Sequence, residues 1–285
     1  MERERRHGAA FRFAAAILIS AAAVCVTANA WDNPFVLDDR TKVVSNPDIA
    51  TMEDFPSRLV YPYEEGHRLE RNDPSRPLVF AIWTLVRHFH GLNPVPYRIV
   101  NALFHALTAL LLFLLLLQVF RRAGLASARA GSAHAAAAIA ALLFALLPIH
   151  VGTASYVYAL SDVLGSALVL ASIVLFLARA NRWHVAGSVT CFCLALLTKQ
   201  STLVLPALLV AFEWLLPTAA PLRSRLRAVL PHVALAALYL AARLAYFGAL
   251  GDLEGQGQRE PLLAYASNQP LVVLRYLWLT FVPRG

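Results

Sequence analysis

Six ionisable residues of this 285-residue chain stand inside or beside apolar runs: Asp38, Asp39, Arg76, His150, Asp162 and Lys199. An ionised side chain at the centre of a membrane span costs about 3 kcal/mol even on lenient insertion scales. Such residues persist where water, a counter-charge or a reaction offsets that cost. Asp38 and Asp39 are adjacent, in WDNPFVLDDRTKVVSNPDI, just past the first apolar run. Carboxylates and cations gathered on one face suit one chemistry well. A carboxylate takes the proton of a hydroxyl nucleophile, and a lysine or arginine holds an anionic leaving group such as phosphate through charge-assisted hydrogen bonds. Each residue also has a plainer reading. Asp39 pairs with Arg40 in a loop; His150, just after Pro148, closes a span end; Lys199 reaches the interface along its apolar stem; Asp162 caps the helix that begins there.

Which reading holds depends on the elements that position them. Residues of the hydrophobic set make up 59% of the chain and charged residues 15%, against about 25% charged in an average soluble domain. Mean hydropathy is +0.58. This is the composition of an all-α polytopic membrane protein with several spans. The formal net charge is +8, but the arginines come in short clusters between apolar runs, as in cytoplasmic loops. Nucleic acid is therefore not an expected partner. Cys25, Cys191 and Cys193 all lie in apolar runs and read as packing residues, without the spacing of a disulfide framework or a zinc site. No metal site is assigned; a divalent cation is left open.

The spans follow from the need for about 20 mostly apolar residues each. The first covers 11–30; its basic head and Ala28-Asn29-Ala30 also fit a cleavable signal peptide. Either way Trp31 is exported. Residues 31–96 form a large exported loop, in which 76–91 is too short and too charged for an easy span and reads as an amphipathic interfacial helix. The remaining spans lie in 97–283: about 97–120, 135–149, 161–178, 185–197, 201–216, 229–247 and 270–283. With the Arg-rich N-terminus inside, alternation puts Arg121/Arg122/Arg129, Arg179/Arg182 and Arg223/Arg225/Arg227 inside as well. The other side receives 31–96, His150–Ala159, the Thr198–Gln200 break and the loop at 248–268. All six ionisable residues then share the exported face. This assignment requires the short run 185–197 to cross. The whole chain reads as one module, 1–285, incomplete at its C-terminus, with no internal repeat of 20–50 residues.

Several short patterns occur in order along this frame. They are Asn33-Pro34-Phe35-Val36-Leu37-Asp38-Asp39 with Asn46-Pro47; Arg76-Pro77-Leu78; and Gly91-Leu92-Asn93-Pro94 followed by Tyr97-Arg98-Ile99-Val100-Asn101 and His105. Pro148-Ile149-His150 and Leu197-Thr198-Lys199-Gln200-Ser201 with Leu205-Pro206 complete the series. Together they resemble the membrane module of the transmembrane and tetratricopeptide-repeat (TMTC-type) protein O-mannosyltransferases and their bacterial relatives, in the GT-C glycosyltransferase superfamily.

The resemblance implies a GT-C-like helix bundle and a polyprenyl- or dolichyl-phosphate-linked sugar as donor. It also implies an exported acceptor hydroxyl, on a protein Ser/Thr or a glycan, and inversion at the sugar. An acid of the first exported loop would be the base, so Asp38 or Asp39, with the first member of the pair favoured. Arg76 and Lys199 would hold the donor phosphate, with His150, Asp162, Asn101 and His105 in support. Membrane lipid would surround the donor's tail. The Ala/Arg-rich composition and the absence of any N-x-S/T sequon point to a bacterial inner membrane with a periplasmic active face; an endoplasmic-reticulum membrane with a lumenal face fits the same topology. The chain also departs from the family. Gly152 stands where the family often has Glu, Ala159-Leu160-Ser161-Asp162 lacks the arginine of G-R-x-D, and Gln200 replaces a common Glu. These losses favour, as one alternative, a catalytically degenerate membrane scaffold; a transporter of lipid-linked substrate is the other, since intramembrane Lys and Asp also suit it.

Overall fold

Proline and asparagine set the starts of the helices in this computed structural model, which describes residues 2–52, 75–125, 130–216, 220–248 and 262–282. The 53–74 part of the exported loop, Arg129 and most of the 248–268 loop (249–261) lie outside the described residues. Helix α1 spans Glu2–Cys25. Helix α2 (Pro77–His90) opens with Pro77, whose missing N–H is no loss in a first turn, and closes at Gly91 with φ +60°. Its Val79, Phe80, Trp83 and Val86 are buried along one stripe, so it packs as an amphipathic helix. Helix α3 (Pro94–Arg122) is capped by Asn93, whose side chain accepts from the Val95 N–H at 3.1 Å.

Helices α4 (Ala130–Leu146) and α5 (Pro148–Ser155) form a pair bent by 54°. Pro148 removes a helical donor and crowds the preceding turn, which breaks the apolar run there. Helix α6 spans Leu160–Ala178, and α7 spans Arg182–Leu196 behind an Asn181 cap. Then come α8 (Leu205–Leu215), α9 (Leu222–Arg227), α10 (Leu230–Phe247) and α11 (Leu262–Phe281). Among the described residues, four helical segments are long and apolar enough to cross a membrane, and the bent pair makes a fifth if it is one span. The chain is an integral, multi-pass, all-α membrane protein.

The short helix α7 runs back along the whole of α6. A Cβ at Gly187 would meet Leu175, Ser188 hydrogen-bonds Ser172 at 2.8 Å, and a Cβ at Gly165 would meet Thr198. The antiparallel return brings Lys199 to the end of the bundle where α6 begins. Three cores hold the frame. An alanine seam, Ala15, Ala23, Ala106, Ala109, Ala137 and Ala141, lets α1, α3 and α4 approach closely around Ile19 and Phe113. Phe176, Phe192, Leu196, Leu205 and Leu209 join α6, α7 and α8. Val43, Ile49, Val79, Trp83, Tyr97, Val157 and Leu160 fix α2 and the loop after α1 onto the heads of α3 and α6.

The opposite end carries a buried ion cluster. Glu213 is fully buried and accepts both Arg179 guanidinium nitrogens, at 2.7 and 3.0 Å. Arg225 Nε reaches the same carboxylate at 2.9 Å, and Arg122 stands 3.8 Å away. Arg225 also donates to the carbonyls of Glu213 and Leu216. The arginine clusters that mark the inner face in the sequence thus converge on one acid at the ends of α3, α6 and α8.

Candidate active site

The loop carrying the aspartates is pinned from two helices. Arg98, in the first turns of α3 and 3% exposed, donates from Nε to the Ser155 carbonyl at 3.1 Å and from Nη2 to the Pro34 carbonyl at 2.9 Å. Its Nη1 donates to the carbonyls of Trp31 and Asn33. Arg87 on α2 donates to the carbonyls of Val43 at 2.6 Å and Asn46 at 3.1 Å. Between these clamps the backbone turns at Leu37, with φ +47°. A left-handed leucine costs about 1–2 kcal/mol and persists only where its surroundings hold it.

The two aspartates that follow face different ways. Asp39 is fully buried. Its Oδ1 accepts from the Tyr158 N–H at 2.9 Å and its Oδ2 from the Val36 N–H at 3.3 Å. Burial is the largest influence on its carboxyl and pushes it above its ordinary range; the two N–H groups and Arg98 pull the other way without cancelling the rise. Its tie is to Tyr158 and Val36, while Arg40 Nε donates to the Phe35 carbonyl, so the loop pairing of Asp39 with Arg40 is not what holds this turn. Asp38 is exposed. Its N–H donates to the Tyr156 hydroxyl oxygen at 3.1 Å, and the Tyr156 hydroxyl donates back to Asp38 Oδ2 at 3.0 Å. Burial above all, with the Asp38 and Asp39 carboxylates adding to it and the Asp38 N–H pulling the other way, pushes the Tyr156 hydroxyl up to about 12, so it remains a proton donor near neutrality.

Tyr156 lines an open cavity of about 590 Å³ together with Tyr158, His150, Gly152, Thr153, Asp162 and Ser166. Asp162 Oδ1 accepts from Lys199 Nζ at 2.5 Å. Their side chains are 45% and 33% exposed, and an ion pair so open to water is worth at most about 1 kcal/mol. An incoming anion can take Lys199 at little cost. Asp162 serves here as a counter-charge rather than a helix cap, since the cap position of α6 is Ala159. Arg76 Nη1 donates to the Tyr158 hydroxyl at 3.3 Å, and the two line a narrow crevice with Lys42, Trp83 and Ser161. The Leu78 N–H donates to the Leu197 carbonyl at 3.2 Å, which ties α2 to the chain break that presents Lys199.

His150 stacks on Phe144 with ring centres 4.1 Å apart. His105 approaches the Ala145 carbonyl at 3.0 Å through Nε2, a contact that requires the proton on that nitrogen. A smaller cavity, about 70 Å³, lies between His105, His150, Asp162 and Ser166. Asn101 Nδ2 donates to the Tyr156 carbonyl at 2.7 Å. Asp38, Arg76, His150, Asp162 and Lys199 therefore surround Tyr156 and Tyr158. Asp39 and Asn101 are fully buried and His105 nearly so, supporting that wall from behind. Among the described residues, no three His, Cys, Asp or Glu side chains come close enough together to share a metal ion.

Sequence reasoning missed three residues that build the site: Arg98, Tyr156 and Tyr158. The signal was faint. Arg98 sits inside the first turns of a span, and only the cost of a charge there marks it. The tyrosines flank Val157 in a short polar patch between two spans.

No family model and no solved structure matches the chain. It is 28% identical over 190 residues, 65% of its length, to the protein O-mannosyl-transferase TMTC1 of Homo sapiens, and the match covers 20% of that relative. The chain thus spans about a fifth of the length of the curated relative it matches. The helices and this match together describe a multi-pass membrane protein that is similar, over 190 residues, to a protein O-mannosyl-transferase.

Proposed function

We propose that this chain is the membrane module of a glycosyltransferase that moves a sugar from a polyprenyl- or dolichyl-phosphate carrier to an exported hydroxyl, with Asp38 as the base. The observation that carries the reading is the exposed Asp38 carboxylate, held by Tyr156, a residue that lines one cavity with Asp162, the ion-pair partner of Lys199. Asp38 takes the proton of the acceptor hydroxyl. The freed oxygen attacks the anomeric carbon, the carbon–oxygen bond to phosphate breaks, and the carrier phosphate leaves with the electron pair, inverting the sugar. Lys199, released from Asp162, and Arg76, on the Tyr158 side, neutralise that phosphate. TMTC1's name, an O-mannosyl-transferase, supports a protein hydroxyl as acceptor. The exported face is periplasmic or lumenal.

The test is transfer by the purified full chain from a polyprenyl-phosphate hexose to an acceptor peptide. Transfer is expected, and Asp38→Asn should lower it by about 10²–10⁴-fold, the worth of a general base. No transfer by the wild type, or unchanged transfer after Asp38→Asn with Asp39→Asn, sinks the reading. One observation favours a degenerate scaffold instead. Gly152 lines the cavity, and a Cβ there would meet nothing within 4 Å, so the position that often carries Glu in the resembled family is open space. If the scaffold reading is right, Gly152→Glu gains no transfer and the double asparagine variant still complements loss of the gene.

A further inference from the structure

A second recess lies at the other end of the bundle. It is a groove of about 270 Å³ between α1, α3, α4 and α6, lined by Arg12, Arg121 and His134 with Leu114, Leu117 and Gln118 among its other walls. Arg98 and Arg121 lie near opposite ends of α3, 23 residues apart, which is roughly 34 Å at 1.5 Å per residue. The groove is therefore remote from the candidate active site and from any donor bound there. Arg12 and Arg121 are exposed, and His134 is half-buried beside the Phe11 ring, 6.4 Å between centres. None of the groove's lining residues is acidic. Further in, Arg122, Arg179 and Arg225 share the single carboxylate of Glu213, so that end of the bundle adds positive charge behind the groove.

We propose that this groove holds the headgroup of an anionic phospholipid of the inner leaflet. Charge complementarity selects a phosphodiester anion: the Arg12 and Arg121 guanidiniums face it, with the His134 ring beside them, near the span ends where bilayer phosphates lie. The Leu114 and Leu117 wall supplies the apolar surface for the glycerol and upper acyl chain. Gln118 Nε2 donates to the Val174 carbonyl at 3.2 Å, which ties the α3 wall of the groove to α6. The volume corresponds to about nine waters at ~30 Å³ each, room for a headgroup and not for a whole lipid.

The experiment titrates the full chain, in a neutral detergent, with phosphatidylglycerol, phosphatidylcholine and soluble glycerol 3-phosphate, and reads bound lipid by native mass spectrometry. Phosphatidylglycerol is expected to bind at least tenfold more tightly than phosphatidylcholine. Arg12→Gln and Arg121→Gln should each lose about fivefold, the worth of one cation near a membrane anion, while Arg12→Lys and Arg121→Lys keep most of the preference. Lipid-free melting temperatures establish that the variants fold, and the wild-type comparison and the lysine variants stand if a glutamine variant does not. Equal affinity for phosphatidylglycerol and phosphatidylcholine overturns the proposal, as does unchanged affinity in a folded Arg12→Gln/Arg121→Gln double variant. Binding of glycerol 3-phosphate as tight as that of phosphatidylglycerol overturns the lipid assignment in favour of a soluble phosphate.

Discussion

Asp38 and Asp39 are joined by one peptide bond, yet one carboxylate meets solvent and the other meets two backbone N–H groups inside the protein. The paired substitutions should separate their duties. Asp38→Asn is expected to lower transfer by about 10²–10⁴-fold while changing the melting temperature little. Asp39→Asn presents an amide to two N–H donors and should cost about 1–3 kcal/mol, the penalty of disrupting buried hydrogen bonds, seen as a lower melting temperature. Tyr156→Phe removes a hydrogen bond to a charged group, worth about 1.5–3 kcal/mol, and is expected to lower kcat at least tenfold with KM little changed. Asp39 also sets a pH dependence. Its carboxyl is raised in the folded protein, so the fold binds that proton more tightly than the unfolded chain does. Its contribution favours the fold below the ordinary carboxylate value and is lost as pH rises through the raised one. Melting curves across the acid range should show this decline, and Asp39→Asn, which has no proton to lose there, should flatten it.

At the scale of elements, the close approach of α6 to the chain break before α8 decides where Lys199 stands. A Cβ at Gly165 would lie 2.9 Å from Thr198 Oγ1 and 3.3 Å from Thr202 Cγ2, and Thr198 is fully buried. Gly165→Ala is expected to destabilise by about 1–3 kcal/mol through overpacking and to lower transfer by moving Lys199. Thr198→Ala, which removes the nearest atom, should restore part of both; thermal melting and transfer assays of the single and double variants check this. The helices themselves were largely legible. Apolar runs, Pro77, Pro94 and Pro148, and the asparagine caps mark most boundaries, because local propensity and span length agree there. The run at 135–149 overlies α4 and ends at Pro148, where the chain bends by 54° into α5. The partners were less legible. That Tyr156 meets Asp38, and Asp162 meets Lys199, is a property of long-range packing that residue spacing does not encode. Glu213 went unremarked inside an apolar run, although a lone acid there implies a buried cation, and the arginines at three neighbouring span ends were available to supply it.

For the whole molecule, the two ends of the bundle are chemically distinct: tyrosines and Asp162 around an open cavity at one, with Asp38 and Lys199 bonded to them, and guanidiniums around Glu213 at the other. Glu213→Gln would leave three guanidiniums crowded without their shared counter-ion. Breaking a buried ion network from one side costs about 3–5 kcal/mol, so a large fall in melting temperature is expected, and Arg179→Met in the same chain should recover part of it by removing one unpaired charge.

The short return helix has a further consequence for how the bundle meets its bilayer. The 15 residues of α7 reach roughly 22 Å at 1.5 Å per residue, against a hydrocarbon thickness of about 30 Å. Were α7 to cross, as the charge alternation of the loops requires, a bilayer facing it would have to thin, or water would have to descend to the helix end, by hydrophobic mismatch. On the proposed function the Lys199 terminus would then sit beneath the level of the surrounding headgroups, in a dimple of the membrane. The proposed donor, a phosphate tethered to a hydrocarbon tail, would slide into such a dimple laterally, its tail never leaving the oil, whereas the proposed acceptor hydroxyl would enter from above, so the two would arrive along perpendicular paths.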